Sequence, residues 1–127
     1  MIKPFIFLSL ILLMIGCKKE KYNLNEDFTL DFNKSAIVKI DGAEYKIKFT
    51  NLEEDSRCPP DSHCYWQGQV AVKINLNNDT DIIIGHHTTI LSTAMYKNHI
   101  IQLLEVNYDK KKHFGEEKHC SVKLRID

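Results

Sequence analysis

The sequence predicts an all-β domain, a two-sheet antiparallel sandwich of about seven strands. Three observations predict it. From Phe28 onward, apolar residues recur at every second position, the period of a strand with one buried face. Turn-forming clusters such as Asp41-Gly42 and Asn77-Asn78-Asp79 separate these runs at short intervals. No long stretch follows the 3.6-residue period of an amphipathic helix.

Each element follows from that alternation. "FTLDF" places Phe28, Leu30 and Phe32 on one face. "AIVKI" leads into Asp41-Gly42, a strong hairpin signal between apolar runs. "AEYKIKF" returns with Tyr45, Ile47 and Phe49 inward and Glu44, Lys46 and Lys48 outward. In "WQGQVAVKINL", Trp66, Gly68, Val70, Val72, Ile74 and Leu76 share one parity, so Trp66 is expected in the core beside Val70 and Val72. "DIIIG" has no polar face and reads as a short central strand. "HIIQLLEVNY" reads as a strand on its β-branched content, "KKKHFGEEK" as a solvated loop, and "CSVKLRI" closes the chain with Val122, Leu124 and Ile126 inward. The stretch from His86 to Tyr96 fits a loop, a helical turn or a strand. The expected architecture is an immunoglobulin-like β-sandwich, with a small closed β-barrel as the alternative.

The N-terminus has a different character. "MIKPFIFLSLILLMIGC" contains one basic residue, Lys3, then an apolar run from Phe5 to Ile15. That run falls short of the roughly 20 apolar residues a membrane span needs, and has the two regions that open a secretory signal. It ends in Met14-Ile15-Gly16-Cys17, which resembles the lipobox of bacterial lipoproteins, with Met14 where Leu is commoner. The resemblance implies cleavage before Cys17, diacylglycerol on the Cys17 thiol and, usually, an acylated amine. Two or more acyl chains, at about 0.8 kcal/mol per buried methylene, anchor a protein stably. The expected organisation is a signal peptide over residues 1–16, a lipidated Cys17 with a flexible tether over 17–27, and the β-sandwich over 28–127. Lys18 follows the cysteine, where Asp would signal inner-membrane retention. The expected location is therefore the bacterial cell envelope, at the outer membrane.

Charge narrows the partners. The chain holds 17 basic and 17 acidic residues, and loss of the leader with Lys3 leaves a net charge of −1. No basic excess points to nucleic acid.

The densest stretch is "EEDSRCPPDSHCYWQGQ". Asp55, Ser56, Arg57, Cys58, Pro59, Cys64, Trp66 and Gly68 form the pattern D-S-R-C-P-x4-C-x-W-x-G. This resembles a family of small bacterial lipoproteins and secreted domains whose signature leads into a valine-rich strand. Gln67 stands where that family usually has Ala. The resemblance implies a β-sandwich and a lipoprotein, and implies no activity.

Metal binding, thiol catalysis and a disulfide compete for the loop. Zinc wants cysteines two to four apart plus a second ligand pair, and C-x5-C fits that poorly. Calcium is disfavoured because Glu53, Glu54, Asp55 and Asp61 lack the spacing and glycine of a calcium loop. A cysteine nucleophile needs a base held by a third group, and His63 beside Cys64 has none in view. The remaining chemistry is a disulfide between Cys58 and Cys64, stiffened by Pro59-Pro60 and formed in an oxidising compartment. On the chain-entropy model, closing so small a ring stabilises by about 2–2.5 kcal/mol. Asp55 and Ser56 can accept from loop amides, and Arg57 can pair with Asp55 or Asp61 or lie over Trp66. Cys120 is expected to be a buried, inert thiol, and His86-His87 and Lys110-Lys111-Lys112 to be solvated. No catalytic set, metal or cofactor is expected. The expected role is a lipid-anchored binding or structural module with an envelope protein as possible partner; the alternatives are an inhibitor of an envelope-directed hydrolase and, less well supported, a thiol enzyme at Cys58, His63 and Cys64.

Overall fold

The computed structural model describes residues 20–127. Cys17 and the leader lie outside the described residues. The strands are β1 (Lys21–Tyr22), β2 (Asp27–Asp31), β3 (Ser35–Ile40), β4 (Ala43–Asp55), β5 (Val70–Leu76), β6 (Thr80–His86), β7 (Thr93–Tyr96), β8 (His99–Tyr108) and β9 (Cys120–Ile126). They form two open sheets, one ordered β1-β3-β4-β5-β6 and the other β2-β9-β8-β7. The architecture is the expected sandwich, with nine strands in place of about seven. Strands β3 to β6 and β7 to β9 are meanders, so the likeness to immunoglobulin domains lies in two face-to-face sheets and not in strand order.

The alternation fills the space between the sheets. Val38, Ile47, Phe49, Val72 and Ile74 from one sheet, and Ile101, Val122, Leu124 and Ile126 from the other, are fully buried. Asp41 (φ +51°) and Gly42 (φ +83°) make the β3–β4 turn, both in the left-handed region that two-residue hairpin turns require. Lys97 (φ +50°) and Asn98 (φ +64°) repeat this between β7 and β8. The Lys97 ammonium sits 5.8 Å and 5.7 Å from the Tyr45 and Tyr96 rings, and that attraction offsets part of the cost of a left-handed lysine.

Three expectations are corrected here. The tether is partly built into the fold. Lys21 and Tyr22 pair in parallel with Ile37 and Val38, Tyr22 stacks on Phe28, and the Asn25 amide donates to the Ile126 carbonyl at 2.7 Å. The β3 edge offers this segment backbone partners that its composition does not reveal. The "DIIIG" strand is an edge strand, β6, with Ile83 46% exposed. Its outward side chain is apolar, so an edge strand here carries the all-apolar pattern of a central one. His87 is not solvated: its side chain is 9% exposed, and Nε2 lies 2.9 Å from Glu54 Oε2. It leaves the end of β6, where the chain turns back over the sandwich.

Strand β4 matters most for the site. It is 13 residues long and bulged twice against β5, between Phe49 and Asn51 and between Leu52 and Glu54. Each bulge inserts one residue and flips the parity. Two flips restore it, so Asp55 lies opposite the fully buried Val70 and turns its carboxylate inward.

Candidate binding site at the loop end

The loop from Ser56 to Gln69 starts as a continuation of the β4–β5 hairpin. The Ser56 amide donates to the Gln69 carbonyl at 2.8 Å, and the Cys58 amide to the Gln67 carbonyl at 3.2 Å. Gly68 permits this approach. Its φ is +74°, and a β-carbon there would lie 2.0 Å from the Ser56 carbonyl oxygen. Beyond Cys58 the chain turns through Pro59-Pro60-Asp61-Ser62, with Asp61 left-handed (φ +64°) and the Ser62 amide on the Pro59 carbonyl at 3.2 Å. Cys58 and Cys64 are joined by a disulfide, their Cα atoms 5.8 Å apart. Cys120 is unbridged and buried, as expected, and burial pushes its thiol pKa up to about 12.

Beneath the loop lies a polar knot. The Asp55 side chain is 1% exposed and accepts two bonds from Arg57, Nε to Oδ1 and Nη2 to Oδ2, each 2.8 Å. Tyr108 donates its hydroxyl to Asp55 Oδ2 at 2.6 Å, and the Arg57 amide donates to Oδ1 at 3.2 Å. Arg57 Nη1 reaches across the sandwich to the Val106 carbonyl at 2.9 Å, and its guanidinium lies 5.6 Å from the Phe114 ring centroid. Burial acts to raise the Asp55 pKa, but the Arg57 and Tyr108 bonds outweigh it and hold the carboxyl below its usual range. The Asp55 bonds raise the Arg57 pKa, whereas burial first and the Asp55 bond second raise that of Tyr108. Of the candidate partners for Arg57, Asp55 is the one engaged. Asp61 instead meets Lys111, 3.4 Å away.

Trp66 is corrected. It is 57% exposed, and Tyr65 beside it is fully exposed. The parity running back from Val70 does not pass Gly68, because a left-handed residue breaks the extended chain on which alternation depends. The staple therefore presents two neighbouring aromatic residues to solvent.

The β8–β9 loop stands beside the staple. Its Phe114 packs on Tyr108 with ring centroids 5.1 Å apart. Between the two loops lies a cleft of about 200 Å³, lined by Arg57, Pro60, Val106, Asn107, Tyr108, Lys110, Lys111 and Phe114. Of its three cationic side chains Arg57 is paired with Asp55 and Lys111 with Asp61, so Lys110, beside two aromatic rings, is the one placed to meet an acidic group flanked by apolar surface. A third loop joins the same end, where Gln69 Oε1 accepts from the Thr88 hydroxyl at 3.1 Å.

The structure thus brings Asp55, Ser56, Arg57, Cys58, Pro59, Cys64 and Gly68 together as one rigid unit and leaves Trp66 on its outside. Sequence reasoning missed Val106, Tyr108 and Phe114. They lie some 50 residues away, and only the long-range contact reveals them. Fold and site define a small β-sandwich domain with a stapled aromatic loop beside a basic cleft. Comparisons with protein-family models, curated proteins and solved structures returned no significant match.

Proposed function

We propose that this protein is a lipid-anchored, non-enzymatic binding module of the bacterial cell envelope, which engages a protein partner with its loop end. The observation behind this reading is the exposed Tyr65-Trp66 pair on a disulfide-stapled loop. Exposed aromatic side chains bury much area on contact at low cost in side-chain entropy, which is why they dominate protein interfaces. The basic cleft beside them adds a place for an acidic side chain of the partner. The lipobox-like Met14-Ile15-Gly16-Cys17 supports the anchor and the envelope location.

Capture from detergent-solubilised envelopes tests the reading. Wild type is expected to retain a partner that a Tyr65→Ala/Trp66→Ala double variant releases. Recovery of the same proteins by both would sink it. Labelled palmitate is expected in the wild type and not in Cys17→Ser, and equal incorporation would remove the anchor.

A second reading, inhibition of an envelope-directed hydrolase such as a lysozyme or protease, is favoured by the exposure and disulfide closure of the same loop. A direct inhibition assay separates the two readings.

A further inference from the structure

The loop joining β8 to β9 holds a second cluster of chemistry that the binding end does not use. It contains two 3₁₀ turns, Lys111–His113 and Glu117–His119, separated at Gly115 (φ +85°). The turns bring together residues that are far apart along the loop. One ligand atom from each of Asp109, His113 and His119 lies within 4.8 Å of one from each of the others. We propose that Asp109, His113 and His119 form a site for one divalent transition-metal ion of the zinc class.

The two histidines lie against each other. Their rings stack face to face, with centroids 3.7 Å apart and planes 4° from parallel. His119 Nδ1 lies 2.7 Å from Asp109 Oδ2, and His113 Nδ1 lies 2.5 Å from Glu116 Oε2. An ionised carboxylate can only accept, so each Nδ1 donates in these contacts, and an ion shared by Asp109 and His119 takes the place of the His119 proton, which is released. Neither Nε2 has a hydrogen-bond partner among the described residues. Metal-binding histidines show the pairing that His113 makes, one ring nitrogen on a carboxylate, here Glu116, and the other open to an ion. Imidazole with carboxylate suits zinc, nickel and copper, and disfavours calcium and magnesium, which take oxygen.

The loop is also fixed before any ion arrives. Backbone bonds close it at its neck, Asp109 amide to His119 carbonyl at 3.1 Å, and within it, His113 amide to Lys110 carbonyl and His119 amide to Glu116 carbonyl at 3.0 Å each. Glu117 Oε2 accepts the Leu52 amide at 2.9 Å and pins the loop to β4. Three ligands held on one pinned loop need only side-chain rotation to close on an ion, since zinc bonds of about 2.0–2.2 Å set the ligand atoms closer together than they now stand. A fourth position stays open to water, as in other three-ligand zinc sites. The pair of loop-end sites would then be joined through His113 and its neighbour Phe114.

The test uses the full chain, solubilised in detergent, made without a polyhistidine tag and stripped with chelator. Zinc chloride is titrated calorimetrically, and cobalt chloride is followed by its visible absorption. One zinc per chain is expected, displacing a cobalt spectrum of tetrahedral or five-coordinate intensity. His113→Ala/His119→Ala and, separately, Asp109→Asn are expected to weaken binding by about tenfold or more. His63→Ala/His86→Ala is expected to leave it unchanged. Thermal transitions measured without metal show whether each variant is folded, and Asp109→Asn, a surface change, stands in should the double variant unfold. Absence of saturable binding overturns the proposal and leaves a solvated His-acid cluster. Equal affinity in Asp109→Asn and the wild type, or loss in His63→Ala/His86→Ala, also overturns it.

Discussion

Arg57 grips Asp55 by two parallel hydrogen bonds of 2.8 Å, although the two residues are only two positions apart. The Arg57 amide also donates to Asp55 Oδ1, closing an Asx turn over Ser56, while Ser56 holds Gln69. The pairing needs Asp55 turned into the sandwich, where Tyr108 and the guanidinium replace the water it has lost. The knot joins β4 of one sheet to β8 of the other.

Asp55→Asn is expected to cost about 3 kcal/mol at neutral pH, because the half-buried Arg57 loses its counter-charge. The pH dependence has a definite sign. The folded Asp55 pKa lies below its unfolded value of about 3.9. Its contribution is therefore full above that value and is lost as pH falls through the folded one. Urea melts at pH 7 and pH 3 check this. The gap between wild type and variant should narrow in acid, and a gap independent of pH would mean that charge pairing is not its source.

Gly68→Ala is expected to destabilise by more than about 1 kcal/mol, since alanine neither tolerates the left-handed backbone nor fits against the Ser56 carbonyl. Gly42→Ala makes a sharp comparison. Its φ is also positive, but no atom lies within 4 Å of the added methyl. The difference between their denaturation midpoints isolates the clash.

Trp66→Ala is expected to change stability by no more than about 0.5 kcal/mol, as surface substitutions usually do. A loss of several kcal/mol on chemical denaturation would return the indole to the core.

Non-reducing peptide mapping is expected to recover Cys58 linked to Cys64, and Cys120 unlinked. Iodoacetamide should label Cys120 only after unfolding, because burial both blocks access and disfavours the thiolate. Cys58→Ser/Cys64→Ser should lose about 2–2.5 kcal/mol.

Features that depend only on neighbours along the chain are legible in the sequence. Alternation is local, so the inward faces of β2, the first half of β4, β5 and β9 are legible, as is the Asp41-Gly42 turn. The Cys58–Cys64 bridge was legible too, because six residues and two prolines keep its ends close whatever the rest of the fold does. Tertiary structure decided everything that depends on which strand lies beside which. It put β6 at an edge and used two bulges to aim Asp55 inward. It also brought Tyr108 to Asp55 and Phe114 to Arg57 from some 50 residues away. Trp66 marks the boundary between the two. One left-handed glycine separates it from its strand, and beyond that glycine the period of two no longer says which way a side chain faces.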